Sequence, residues 1–141
     1  MGLQAEAAHW TVLIVEDEPD NLGVPETILS FHGTRVLTAE NGIEALKILD
    51  TEMPTFILLD LSMPQMDGWQ TLAAIRSNPR LASIPVIALT AYAMKSDQER
   101  ALAAGFNGYI VKPFFIVSFW QEIERCLSQL EKPLINAKEH E

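Results

Sequence analysis

Phe56-Ile57-Leu58-Leu59-Asp60 is an unbroken apolar run closed by a carboxylate, and Leu61-Ser62-Met63-Pro64-Gln65-Met66-Asp67-Gly68 follows it. A run this short without polar alternation marks a strand covered on both faces, as in a parallel sheet. Four similar runs lie elsewhere in the chain: Thr11–Val15 (TVLIV), 34–39 (TRVLTA), 86–89 (VIAL) and 109–111 (YIV). Stretches with helical start and stop signals separate them. Asn41 with Glu44, Asp67 with Gln70, and Ser96 with Glu99 have the spacing of capping boxes or close variants. Gly105 stands where a helix C-terminus is expected. Five strands alternating with five helices predict an α/β fold of the (βα)₅ type, doubly wound, with right-handed crossovers and helices on both faces.

Two helices carry further detail. Ile116, Phe119, Trp120, Ile123, Leu127 and Leu130 form one apolar stripe at helical spacing, with Pro133 ending the helix. Pro25, two residues after Gly23, falls in the first helix, where proline removes a donor and disfavours helix at Val24. That helix should start late or kink, with Ile28, Leu29 and Phe31 supplying core contacts. Residues 1–10 read as an N-terminal extension, 11–131 as the domain, and 132–141 as a C-terminal tail.

The bulk numbers bound the function. A chain of 141 residues, 48% apolar and 21% charged, fits one soluble globular domain. A formal charge of −9 argues against a nucleic-acid-binding surface, which needs clustered Lys and Arg. The single cysteine, Cys126, lies in an apolar helical pattern and reads as a packing residue; one thiol cannot form an internal disulfide. Residues 1–10 lack a signal pattern, and no apolar run approaches the ~20 residues that span a bilayer. The expectation is a cytoplasmic protein with no membrane partner. His9, His32 and His140 have no metal-ligand spacing. Met63 and Met66 read as loop and packing residues, and Trp69 as partly exposed or as an anchor for a partner.

Chemistry is expected at the carboxyl ends of the strands, near the switch point in strand order. Glu16 and Asp17 follow the first run, Asp60 the third, Thr90 the fourth and Lys112 the fifth. In a parallel sheet these residues converge. A lone Asp after a strand is usually a turn former or cap, but three acids together are not bland. Carboxylates ~5 Å apart repel by roughly 3 kcal/mol at an effective dielectric of ~20. Raised pKa values or a bound cation must compensate. Mg²⁺, a hard ion taking oxygen ligands, suits the site, and Mn²⁺ could substitute. Asp60 could then attack phosphorus as a carboxylate nucleophile, with Lys112 and the cation neutralising the growing charge.

Glu16-Asp17, the stretch from Leu58 to Gly68, Ala88-Leu89-Thr90-Ala91 and Tyr109-Ile110-Val111-Lys112-Pro113 together resemble the response-regulator receiver family of two-component signalling, in its single-domain, chemotaxis-receiver-like form. The resemblance covers residues 12–130 and implies a flavodoxin-like strand order 2-1-3-4-5. It implies Asp60 as phosphoacceptor, and Mg²⁺ held by Asp17, by Asp60, by Glu16 through water and by the backbone carbonyl of Ser62. Thr90 and Lys112 match the switch hydroxyl and phosphate-binding lysine, and the bond before Pro113 should be cis. Tyr109 resembles the aromatic switch residue; it also reads as a half-buried strand tyrosine. Ser62 and Tyr92 match positions that tune dephosphorylation, although Tyr92 also reads as an exposed loop tyrosine. The implied partners are a histidine kinase or histidine phosphotransfer protein upstream and a target protein downstream. The target would read a surface built from 90–105, 109–111 and 114–130. The chain would then be no enzyme beyond its own phosphorylation and slow autodephosphorylation.

Two other classes compete. A metal-dependent phosphatase with an aspartyl nucleophile usually carries a second Asp two residues later, where this chain has Ser62. A flavodoxin-like cofactor binder needs a phosphate loop rich in Gly, Ser and Thr. Here Glu16-Asp17-Glu18 would repel a phosphate that lacks a cation.

Overall fold

Five parallel strands, β1 (Thr11–Val15), β2 (Arg35–Ala39), β3 (Phe56–Asp60), β4 (Val86–Thr90) and β5 (Gly108–Val111), form one sheet in the order β2-β1-β3-β4-β5 in the computed structural model. The structure describes residues 4–130; Pro133, His140 and the tail 132–141 lie outside them. A short α1 (Gln4–Ala7) precedes β1. The strands are then followed in turn by α2 (Gly23–Phe31), α3 (Gly42–Leu49), α4 (Gly68–Ser77), α5 (Lys95–Ala104) and α6 (Ile116–Ser128). This is the doubly wound α/β fold that the alternating runs imply.

β1, β3 and β4 are buried along their whole length because side chains on both of their faces meet helices. Leu13, Val15, Ile57, Leu59 and Ala88 join one core with Ala45, Leu49, Leu72, Ile75 and Ala101 from α3, α4 and α5. Val12, Ile14, Phe56, Leu58 and Ile87 join the other with Leu29 of α2 and Phe119, Ile123 and Leu127 of α6. Ala7 and Trp10 belong to this second core: Trp10 stacks on Trp120 at 5.8 Å, and Thr34 donates a hydrogen bond to the Ala7 carbonyl.

Local signals explain the helix ends. Asp67 and Gln70 form a complete capping box on α4, and the Asn41 side chain accepts from the Glu44 amide at α3. Gly105 closes α5 at φ 112°, a left-handed conformation that a side chain would strain. Pro25 sits in the first turn of α2, where its missing N–H would have lacked a helical partner anyway. The helix therefore starts late, at Gly23, after a 3₁₀ turn over Pro19–Asn21.

Three expectations are corrected. Ser96 does not cap α5, whose N-cap is Met94 with no side-chain bond. Phe31 is 82% exposed: as the last residue of α2 it lies beyond the sheet face that Leu29 covers. Ile116, the first residue of α6, is 58% exposed because the helix enters from the β5 loop a full turn before its stripe meets the sheet.

Candidate functional site

The parallel register brings the expected side chains to one edge. Glu16 follows β1, Asp60 and Thr90 end β3 and β4, and Lys112 follows β5. The Lys112 amide donates to the Thr90 carbonyl at 2.7 Å, continuing the β4–β5 ladder and fixing where the lysine starts. The Lys112–Pro113 peptide bond is cis.

One carboxylate oxygen each from Glu16, Asp17 and Asp60 lie within 4.8 Å of one another. Glu16 and Asp60 are almost fully buried, and Asp17 is half-buried. Lys112 Nζ bridges two of them, 2.9 Å from Glu16 Oε1 and 3.2 Å from Asp60 Oδ2. The Ser62 amide donates to Asp60 Oδ1 at 3.1 Å, and the Glu18 amide to Glu16 Oε2 at 3.2 Å. Glu16 Oε1 has the ammonium as its charge partner but no well-aligned hydrogen-bond donor.

Electrostatics follow from this geometry. Burial, and then the hydrogen bond and charge of Glu16, push the Asp60 carboxyl up to about 7, against the smaller opposing pulls of the Ser62 amide and Lys112. Burial draws the Lys112 ammonium down, but the two carboxylates outweigh it and hold its pKa above the usual lysine range. One ammonium among three acids leaves net negative charge in a largely buried pocket. Oxygen donors on two loops, one of them buried without an aligned partner, fit a hard divalent cation.

A backbone constraint stands behind Asp60. Gly68, the first residue of α4, donates to the Leu61 carbonyl, and a Cβ there would come within 2.3 Å of the Asp60 carbonyl oxygen. Only glycine lets α4 start against the strand end. Gln65 has φ 67°, so the intervening loop contains a left-handed residue.

Thr90 is buried, and its Oγ1 accepts the Tyr92 amide at 2.9 Å. Beside it lies a cavity of about 250 Å³ lined by Ser62, Trp69, Thr90, Tyr92, Arg100 and Tyr109, among others. Tyr92 is 58% exposed. Trp69 is half-buried, edge-on to Phe106, with the Arg100 guanidinium 4.2 Å above its ring. Tyr109 is half-buried with its hydroxyl 2.8 Å from Gln98 Oε1. Arg125 packs over the same ring and donates to the Tyr109 carbonyl at 2.8 Å. Cys126 is buried, with its thiol pKa pushed up by burial. It reads as packing rather than as a nucleophile. His9 and His32 join no metal cluster among the described residues, and His32 stacks on Trp120 at 3.8 Å. Sequence patterns gave no sign of Gln98 or Arg125, whose contacts depend on side-chain reach between elements.

The fold and this acid-rich strand edge define a class, and comparison with known proteins gives the family. Residues 12–124 match the Response regulator receiver domain. The polar-differentiation response regulator DivK of Brucella anthropi is 34% identical, over 83% of this chain and 95% of its own. The chemotaxis response regulator CheY4 of Vibrio cholerae superposes with a TM-score of 0.78 at 28% identity, covering 84% of this chain and 98% of that one. The receiver domain of the sensor histidine kinase PA1611 from Pseudomonas aeruginosa PAO1, with a magnesium ion coordinated in its active site cleft, gives 0.73 at 35% identity, covering 82% and 95%. This chain belongs to the response regulator receiver domain family.

Proposed function

We propose that this chain, with residues 11–131 as its receiver unit, takes a phosphoryl group from a phosphohistidine onto Asp60 in the presence of Mg²⁺ and signals through a changed surface. The observation that carries the reading is the Asp60 carboxylate, buried at the end of β3, paired with Lys112 and within 4.8 Å of Glu16 and Asp17 oxygens. The metal ion in the PA1611 receiver supports the same reading.

In the transfer, an Asp60 oxygen forms a bond to phosphorus as the P–N bond of the donor breaks, and its electron pair returns to the imidazole. Asp60 must be ionised to attack, so the proton that burial favours has to leave first. Asp17, Asp60 and the Ser62 carbonyl would hold the metal directly, and Glu16 would act through a coordinated water. When bound, the cation supplies positive charge to the phosphoryl oxygens. Lys112 supplies a second positive charge from β5. Thr90 exchanges its bond from the Tyr92 amide for one to a phosphoryl oxygen, and Tyr109 follows. Ser62 and Tyr92 flank the phosphoryl group and set water access.

The chain turns over no small substrate; its chemistry is its own phosphorylation and slow dephosphorylation. Ser62 stands where an aspartyl phosphatase needs a second acid. Upstream stands a histidine kinase or phosphotransfer protein, and downstream a target protein. A net charge of −9 supports a protein target over nucleic acid. Among the described residues no helix is long and apolar enough to cross a membrane, and we place the protein in the cytoplasm.

Incubation with a small acyl phosphate and Mg²⁺, read by intact mass, tests this. The wild type should gain one phosphoryl group and Asp60→Asn none. Equal labelling of the two would remove Asp60 from its role.

A further inference from the structure

Gln98 joins two parts of the molecule that the switch reading treats separately. Its Nε2 donates to the Ala93 carbonyl at 3.1 Å, in the loop between β4 and α5, and its Oε1 accepts from the Tyr109 hydroxyl at 2.8 Å. The amide can face only one way: a carbonyl oxygen cannot donate, so the NH₂ must point at Ala93, leaving Oε1 for the phenol. The loop is tied at its other end by the Tyr92 amide on Thr90 Oγ1. Thr90, residues 91–94, Gln98 and Tyr109 therefore form a continuous hydrogen-bonded chain. Arg125 holds the Tyr109 ring and carbonyl from the α6 side. The cavity of about 250 Å³ is lined by Thr90, Trp69, Gln98 and Tyr109 itself.

We propose that Gln98 is a positioning residue: it latches the Tyr109 hydroxyl to α5 at rest and couples it to loop 91–94, so that loop movement at Thr90 releases the ring. This rests on the proposed Thr90–Tyr109 switch and adds the link between them. One neutral hydrogen bond biases such an equilibrium by about fivefold.

The test compares wild type, Gln98→Leu and Gln98→Glu by NMR of the Tyr109 ring, and these with Tyr109→Phe and the Gln98→Leu/Tyr109→Phe double variant by phosphorylation rate with a small acyl phosphate. Without phosphorylation, Gln98→Leu should move the Tyr109 ring resonances toward their position in the phosphorylated wild type. Gln98→Glu keeps the acceptor for the phenol and should leave them near the resting position. Gln98→Leu should also speed phosphorylation about fivefold, and this gain should vanish in the Tyr109→Phe background. Unmoved ring resonances in Gln98→Leu, or a rate gain that survives without the Tyr109 hydroxyl, overturns the latch. Absence of any phosphorylation in the wild type instead sinks the parent reading. The latch is then judged by whether Gln98→Leu frees the resting ring while Gln98→Glu does not.

Discussion

Asp60→Asn should stabilise the cation-free protein, and the gain should grow with pH. Burial and Glu16 push the Asp60 carboxyl up to about 7 in the folded protein, against an ordinary value of 3.8. Below about pH 4 it is protonated in both folded and unfolded chains, so its contribution to stability is fully present. As the pH rises through 7 the unfolded chain has already ionised, whereas the fold must hold a proton or bury a charge, and that stability is lost. The full gap corresponds to up to roughly 4 kcal/mol, carried by the Glu16–Asp60 pair, of which about 2 to 3 kcal/mol accrues between pH 5 and pH 8. Asparagine at position 60 does not titrate and escapes this cost. Urea unfolding in chelator, followed by circular dichroism, should show a small advantage for Asp60→Asn at about pH 5 and a larger one at about pH 8. An advantage that stays constant between the two pH values, to within about 0.5 kcal/mol, would refute the assignment of buried charge to this pair. A cation at a hundred times its Kd adds about 2.7 kcal/mol to the wild type, enough to reverse the small gap at about pH 5 and to narrow the larger one at about pH 8.

Other perturbations have defined outcomes. Lys112→Ala leaves buried acids without their counter-charge and should cost about 3 kcal/mol at about pH 8, less at about pH 5, with Mg²⁺ restoring part of it in thermal melts. Gly68→Ala drives a methyl group into the Asp60 carbonyl, so the strand end or α4 must shift. Loss of 1–3 kcal/mol and slower phosphorylation by a small donor are expected. Thr90→Ala should still accept phosphoryl but give a weaker conformational response; unchanged phosphorylation-dependent NMR shifts across α5, β5 and α6 would contradict its role. Trp10→Ala removes the stack on Trp120 and the edge-on contact with Phe56 and should cost about 3–5 kcal/mol in urea unfolding.

Much of this was legible because parallel topology turns sequence position into spatial position. Each apolar run names a strand, and the residue after it necessarily sits at the shared edge. Glu16, Asp60, Thr90 and Lys112 could therefore be grouped before any coordinates. Asp67 and Gly105 were readable because caps act within one turn of chain. Phe31 and Ile116 were misread for a common reason. Helical periodicity gives the direction of a side chain but not where the helix overhangs the sheet, and both residues lie at helix ends. Ser96 lost its cap role because α5 begins one residue earlier, at Lys95. Arg76 shows the other limit. It donates to the carbonyls of Ala82, Ile84 and Gly105 and to Asn107, gathering two loops, and no spacing rule links it to them. The Gln98 bridge is of the same kind.

The central claim is that Asp60 becomes the phosphorylated side chain beside a cation held by acids of two loops. Borohydride reduction of the acyl phosphate, followed by peptide mass sequencing, reads the modified residue directly. Reduction products should map to position 60, require Mg²⁺ or Mn²⁺ for their formation, and fall sharply in Asp17→Asn. Reduction at any other carboxylate, or equal yield in chelator, would contradict the account.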